Sequence, residues 1–170
     1  MVTTLTDEVA FFEEQKIRHV WWVMLLIYGV AALMWYGFIQ QIILGQPFGT
    51  NPGPDWLIWL FWILFGIGLP LLFYNMTLIV EVCNDHLLIR YVPFVNRQIP
   101  FTEIRGLEAR TYQPIKDYGG WGIRGWGNRR AYNVRGNQGV ELELENGQMI
   151  MIGSQKPQEL ALAIASKLSA

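Results

Sequence analysis

The sequence predicts a membrane α-helical hairpin followed by an α+β domain, an antiparallel β-barrel or curved sheet capped by a C-terminal helix. Three observations carry this expectation. Two apolar stretches, His19 to Leu44 and Trp56 to Val80, have no charged side chain in their interiors, and each exceeds the ~20 residues that cross a ~30 Å hydrocarbon layer. The link between them, Gly45 to Asp55, contains no Lys or Arg. From Met76 onward the pattern turns to period two in short, glycine-punctuated runs and closes on an amphipathic segment.

The expected organisation is a cytoplasmic N-terminal helix over residues 1–18, a hairpin over residues 19–80 with spans at about 20–43 and 56–79, and a cytoplasmic domain over residues 76–170. In 170 residues this leaves room for one small extramembrane domain. The apolar fraction of 52% and net charge of −1 average a greasy N-terminal half with a charged C-terminal half. Cys83 is the one cysteine, which excludes an internal disulfide framework and a Cys-cluster metal site. No metal and no cofactor are expected. Asp7, Glu8, Glu13 and Glu14 ahead of a long apolar core do not fit a cleaved signal peptide, which starts with a basic segment and has a shorter core. Trp21, Trp22, Trp35, Tyr36, Trp56, Trp59 and Trp62 gather toward the segment ends, as in an aromatic belt.

Each element has a local reason. Thr6 before Asp7 and Glu8 makes an N-cap with acids in the first turn, and Glu14 with Arg18 makes an i,i+4 pair, so a helix is expected from about Asp7 into the first span. The Gly45 to Asp55 link, with three prolines and three glycines, is a tight turn between antiparallel helices. In the second span Gly66, Gly68 and Pro70 predict a kink, because proline lacks a backbone donor and crowds the carbonyl four residues back. Lys16 and Arg18 flank the first span, and Arg90 and Arg97 follow the second within ~20 residues, which places both termini in the cytoplasm of a multi-pass inner-membrane protein. The Asn75-Met76-Thr77 sequon would then lie where no glycosylation takes place.

In the domain, Thr77 to Cys83, a turn at Asn84-Asp85 and His86 to Val92 form the first predicted hairpin, followed by strands at Arg97 to Pro100 and Arg105 to Gln113. Gly139 to Glu145 and Gln148 to Gly153 flank Asn146-Gly147. A two-residue type I′ turn there, the preferred reading, sets Val140, Leu142, Leu144, Met149 and Met151 on one face. A three-residue loop with a bulge at Gly147 would face Ile150 and Ile152 inward instead. Lys156 to Leu168, with Pro157 in its first turn, places Leu160, Ala161, Ile164 and Leu168 on one helical stripe.

The runs Leu87 to Arg90, Gln98 to Ile104, Gly122 to Arg124, Gly139 to Leu144 and Ile152 to Pro157, with the closing helix, resemble the bacterial pleckstrin-homology-like domains found behind membrane hairpins. The resemblance spans about Met76 to Leu168. It implies the fold and offers no catalytic residues.

Motifs for chemistry are sparse. Gly120-Trp121-Gly122-Ile123-Arg124-Gly125 matches G-x-G-x-x-G, but Gly127 and Asn128 break the helix that a dinucleotide site needs. Cys83, Asp85 and His86 read as a turn rather than ligands, since neighbours on a strand point apart. His19 reads as an interfacial polar residue, and Glu141, Glu143 and Glu145 as a solvated strand face. No Ser/His/Asp set, GxSxG or HExxH occurs. The segment above background is Arg105 to Arg135, where seven cations (Arg105, Arg110, Lys116, Arg124, Arg129, Arg130, Arg135) face two acids (Glu108, Asp117), interleaved with Tyr112, Tyr118, Trp121, Trp126 and Tyr132. Basic groups beside an anionic leaflet gain ~1 kcal/mol each, and Trp prefers the headgroup layer. A surface loop around Gly119 to Arg130 is therefore the expected contact for phospholipid headgroups or an anionic ligand, with Arg124, Arg129, Arg130, Trp121 and Trp126 as its residues. The bland reading of the same loop stacks its arginines on its own aromatics.

The functional expectation is a non-enzymatic, membrane-anchored scaffold or accessory subunit. Its partners would be the lipid bilayer, its own copies in a homo-oligomer, or another membrane protein, and nucleic acid is not expected. Gly29, Ala31, Ala32, Gly66 and Gly68 allow close helix approach. The competing expectation is a small membrane enzyme or transporter accessory component with a site at the hairpin-domain junction, and a third is lipid sensing relayed by the Pro70 kink. Spans without an internal charge weigh against ion or proton transport.

Overall fold

The computed structural model describes residues 9–169. These fold as two compact units, Lys16–Met76 and a second unit in which the described residues up to Gln15 join Thr77 onward.

The first unit is a helical hairpin. Strand β1 (Phe11–Lys16) passes through a short 3₁₀ turn, Ile17–His19, into helix α1 (Trp21–Phe38), which continues as a π-helical turn, Ile39–Ile43. After the link come α2 (Asp55–Phe61), a π-helical stretch Trp62–Gly68, and α3 (Leu69–Asn75). Trp21–Ile43 and Asp55–Asn75 are long and apolar enough to cross a membrane, and in the second only 6% of the most apolar window is buried within the chain. At the link end the ring of Phe38 stacks on Trp62 at 4.3 Å and meets Trp59 edge-on at 4.7 Å. The Gln41 side-chain amide donates to Gly53 O and Asp55 Oδ1, both at 2.8 Å, and so closes the link onto the first helix. At the other end the Arg18 guanidinium lies 5.0 Å over the Tyr74 ring, and Ile17 N–H donates to Met76 O at 3.1 Å.

Gly66 and Gly68 fall in the π-helical stretch, and Pro70 in the first turn of α3. An α-helix would direct the N–H of residue 70 at Gly66 O, and proline has none to give. The Trp35 indole N–H of α1 donates to that carbonyl at 3.3 Å.

The second unit is α+β with two sheets, neither closed on itself. The first has the order β1-β2-β3-β4, with β2 (Thr77–Val82), β3 (His86–Val92) and β4 (Val95–Pro100). The second has the order β5-β8-β9-β7-β6, with β5 (Ile104–Thr111), β6 (Gly122–Trp126), β7 (Arg129–Asn133), β8 (Gln138–Leu144) and β9 (Met149–Gly153). Helix α4 (Pro114–Tyr118) interrupts the second sheet, and α5 (Pro157–Leu168) packs on β5 and β8. The core is the inward set of each strand. Leu78, Val80, Val82, Leu87, Ile89 and Tyr91 come from the first sheet, Val140, Leu142, Ile150 and Ile152 from the second, and Leu160 and Ile164 from α5, all fully buried. Leu168, at the last turn of α5, is half-exposed rather than part of that stripe.

Four expectations are corrected. The N-terminal helix is not formed over Phe11–Lys16, which is a strand with its odd-numbered side chains buried. Its N-cap at Thr6 to Glu8 lies outside the described residues. Pairing with β2 overrides the single Glu14/Arg18 helix pair, because it satisfies a whole row of backbone groups. The second span ends at Asn75, not 79, since Thr77–Val82 joins the sheet. In the β8–β9 hairpin Val140 pairs with Ile152 and Leu142 with Ile150. The chain takes the three-residue loop, with Gly147 the loop residue at positive φ (+78°) and, among the described residues, no non-glycine residue at positive φ; this register buries both isoleucines. Finally, β7 runs parallel to β9 in an otherwise antiparallel arrangement.

Candidate functional site

The basic, aromatic segment is a β-hairpin on a sheet edge, not a loop. After β5, Pro114 opens α4, the Asp117 carboxylate accepts Gln113 N–H at 2.8 Å, and Gly119 ends the helix in the left-handed region. β6 then pairs with β7 across Gly127-Asn128, in the register Trp126↔Arg129, Gly125↔Arg130, Arg124↔Ala131. Gly125 is required at its place. A Cβ there would run into the Arg129 carbonyl and come within 2.8 Å of Arg130 Cα, at a φ of +143°.

The register divides the five predicted residues. Arg129 shares a face with Trp126, and although about half of its side chain is exposed, it is engaged with partners in the domain. Its guanidinium lies 5.3 Å over the Tyr118 ring and its Nη2 is 3.4 Å from Glu141 Oε1. Glu141, only 8% exposed, also meets Arg110 Nε at 3.1 Å and accepts the Tyr118 hydroxyl at 3.0 Å. Glu141 is thus the anchor of a buried polar network and not part of a solvated ladder. Burial, then the Glu141 charge, push the Tyr118 hydroxyl above its ordinary range, and Tyr118 followed by Glu141 hold Arg129 in its charged form. Trp121 is half-buried, its indole N–H donating to Gly136 O at 2.8 Å near the surface. Arg124 Nε donates to Trp121 O at 3.0 Å from an exposed position. Arg130 is exposed on the opposite face, and Trp126, 82% exposed, stands at the hairpin tip. Arg124, Trp126, Arg129 and Arg130 are thus all exposed, Arg130 on the face opposite the other three, and among the four Arg129 is the one bound to the Glu141 network.

Asn133 ties this hairpin to the rest of the domain. Fully buried, it donates from Nδ2 to the Tyr112 hydroxyl at 2.8 Å and accepts Gly122 N–H at 2.8 Å, while its backbone carbonyl accepts the Tyr91 hydroxyl at 3.3 Å. Burial pushes Tyr91 up to about 12, with the Arg124 charge acting in the opposite sense. Tyr91 pairs with Leu78, next to Thr77, where the strand begins after the second helix. The other edge of the same sheet, β5, starts from the turn in which Phe101 N–H donates to Asp85 O and Glu103 O accepts Glu145 N–H, at the opposite end of β2 and β3. Within the domain, then, the base of the β6–β7 hairpin, Gly122 and Asn133, lies near the strand ends through which the chain leaves and re-enters, and its tip, with Arg129 paired to Met149, lies at the other end of β7.

Sequence reasoning passed over the residues that make β1 part of the domain. The buried Glu13 carboxylate accepts the Ser154 hydroxyl at 2.5 Å and Gln155 N–H at 2.8 Å, and Gln15 Nε2 donates to Gly153 O at 2.8 Å. The alternation of Phe11, Glu13, Gln15 and Ile17 was the available signal, obscured by the polarity of two of its members. Nothing local marks Asn133.

Among the described residues no three His, Cys, Asp or Glu side chains gather as a metal site. Cys83 is buried, while His86 Nδ1 sits 2.6 Å from Asp85 and, chiefly through that hydrogen bond, holds the exposed Asp85 carboxyl below its ordinary range. The G-x-G-x-x-G run leads into β6, with no helix after it. A shallow, mostly apolar hollow of about 300 Å³ lies between α4 and Trp121.

Compared with known proteins, residues 5–170 match the model of a family described as a family of unknown function (DUF6141). Neither the curated proteins nor the solved structures give a match.

Proposed function

The chain belongs to the DUF6141 family of unknown function, and from that premise we propose that it is a non-enzymatic, membrane-anchored interaction module whose β6–β7 edge contacts anionic lipid headgroups. One observation carries the reading. β1, which precedes the first apolar helix, and β2, which follows the second, are neighbouring strands of one sheet, with Ala10 N–H donating to Val82 O at 2.8 Å. A chain that leaves and re-enters one domain across two apolar helices crosses a bilayer an even number of times. The charge asymmetry of the flanks supports a cytoplasmic position for that domain in a multi-pass inner-membrane protein.

The pleckstrin-homology-like resemblance agrees with strands followed by one closing helix, and the outward Arg124, Arg130 and Trp126 supply the headgroup chemistry. Spans without an internal charge act as an anchor, which suits a scaffold or accessory subunit beside other copies or a second membrane protein.

The test uses the full chain in nanodiscs. Two arginines at ~1 kcal/mol each correspond to about thirtyfold in contact equilibrium. Backbone amides of residues 122–130 are expected to exchange several-fold more slowly in phosphatidylglycerol than in phosphatidylcholine, and Arg124→Ala with Arg130→Ala to erase the difference. Equal exchange in both lipids in the unaltered protein overturns the headgroup contact.

A further inference from the structure

We infer that the β3–β4 turn, Val92-Pro93-Phe94, is an apolar wedge that enters the interfacial layer of the bilayer in which the two helices are anchored. The inference rests on the reading that those helices span the membrane, and it adds a second, apolar contact to the headgroup contact of β6–β7.

Register places this turn. Thr77 pairs with Val92, and Thr77 follows the last residue of α3, Asn75, by two positions. Two residues of chain reach at most ~7 Å, and paired strand residues lie ~5 Å apart. Val92 is therefore tethered within ~12 Å of the end of the second helix by covalent geometry and one strand pair alone. Tyr91, on its other side, is the residue whose hydroxyl reaches Asn133, so the turn and the base of the β6–β7 hairpin belong to the same end of the domain.

Chemistry then assigns the occupant. The turn is closed by its own backbone, Phe94 N–H donating to Tyr91 O at 2.7 Å, and this asks nothing of the Phe94 side chain. Yet Phe94 is 57% exposed and Val92 38%, with Pro93 exposed between them. A single exposed aromatic residue is ordinary on a protein surface. Three consecutive apolar residues at a turn tip, held beside a membrane entry point, are not. From Tyr91 to Asn96 no charged group would have to be desolvated. The nearest cations on these strands are engaged behind the tip, Arg90 with Glu81 at 2.9 Å and Arg97 with Gln148 at 2.5 Å. Aromatic and aliphatic side chains without a charge partition into the interfacial layer, as the aromatic belts of spanning segments do.

The experiment labels single cysteines with an environment-sensitive fluorophore in the full chain, reconstituted in vesicles of mixed phosphatidylglycerol and phosphatidylcholine with or without shallow spin-labelled lipid. Cys83 is buried, and Cys83→Ala provides the background. Phe94→Cys reports the turn, with Val92→Cys as a second reporter. Leu64→Cys, 49% exposed within the second helix, and Leu162→Cys, 71% exposed on α5, are the comparators. Position 94 is expected to emit at shorter wavelength than position 162 and to be quenched by the shallow lipid at least threefold more strongly. Aqueous behaviour at 94 with apolar, short-wavelength emission at 64 overturns the wedge and leaves the spanning reading intact. Shielding of 94 from iodide without quenching by lipid, as under a second copy of the chain, also overturns it. If 64 emits at long wavelength and is quenched by iodide, the spanning reading fails and the wedge with it.

Discussion

Pro70 shows how a single residue shapes the hairpin. In an α-helical register its missing N–H would leave the Gly66 carbonyl without its usual donor, and an unsatisfied carbonyl in apolar surroundings is costly, so a donor from elsewhere is favoured. Trp35, on the other helix, provides one at 3.3 Å while its ring meets Trp62 edge-on at 5.1 Å. Trp35→Phe keeps a ring against Trp62 and removes the N–H. We expect it to lower stability in mild detergent or bilayers by about 1 kcal/mol, in the range of interhelical hydrogen bonds in membranes. In a Pro70→Ala background, where residue 70 can again donate, the same change is expected to cost less, by about half. Equal costs in both backgrounds would show that Trp35 stabilises the hairpin by packing alone. The presence of Gly66 and Pro70 was legible in the sequence; the identity of the compensating donor was not, because it lies 31 positions away on another helix. Arg129 follows the same logic. Its charge was evident, but its commitment to Glu141 and Tyr118 follows from the β7 register.

Among the elements, β1 departs furthest from expectation. It supplies the outer neighbour of β2, and its Glu13 and Gln15 are bonded to residues at the end of β9, in the other sheet. Without it, β2 would present an unpaired edge of backbone groups, which invites strand addition by a second molecule. Residues 76–170 expressed alone are therefore expected to self-associate in light scattering, whereas the same residues with residues 9–15 fused to Thr77 through a short Gly/Ser link are expected to be monomeric. A monomeric, equally stable 76–170 fragment would show β1 to be dispensable. The strands β2 and β3 were legible from their alternating buried residues, and β8 and β9 from short apolar runs either side of Asn146-Gly147. β6 and β7 were not, since five glycines between Gly119 and Gly127 and exposed arginines hide the alternation. The β8–β9 register was open between two turns until the burial of Ile150 and Ile152 selected one.

For the whole molecule, the proposed membrane-spanning arrangement makes the adjacency of β1 and β2 a topological requirement: the segments before and after the two apolar helices would share a side. Thr50→Cys, exposed in the link, is expected to react with a membrane-impermeant maleimide only from the periplasmic side. Lys116→Cys, exposed on α4, is expected to react only after the inner membrane is opened. Labelling of both from one side would overturn the two-span arrangement.

Sequence by itself determined the two apolar helices, their uncharged link, the change to period two after Met76 and the closing amphipathic helix. Each is a local or periodic property, written in residues three, four or two apart. Tertiary structure alone decided that Phe11–Lys16 is a strand, which of the two β8–β9 registers forms, that Arg129 meets Glu141 and Tyr118 beside the exposed Arg124, Trp126 and Arg130, and that Val92 lies beside Thr77. Those outcomes depend on partners distant in sequence, such as Ser154 for Glu13 and Glu141 for Arg129. No window on the chain contains both members of such a pair.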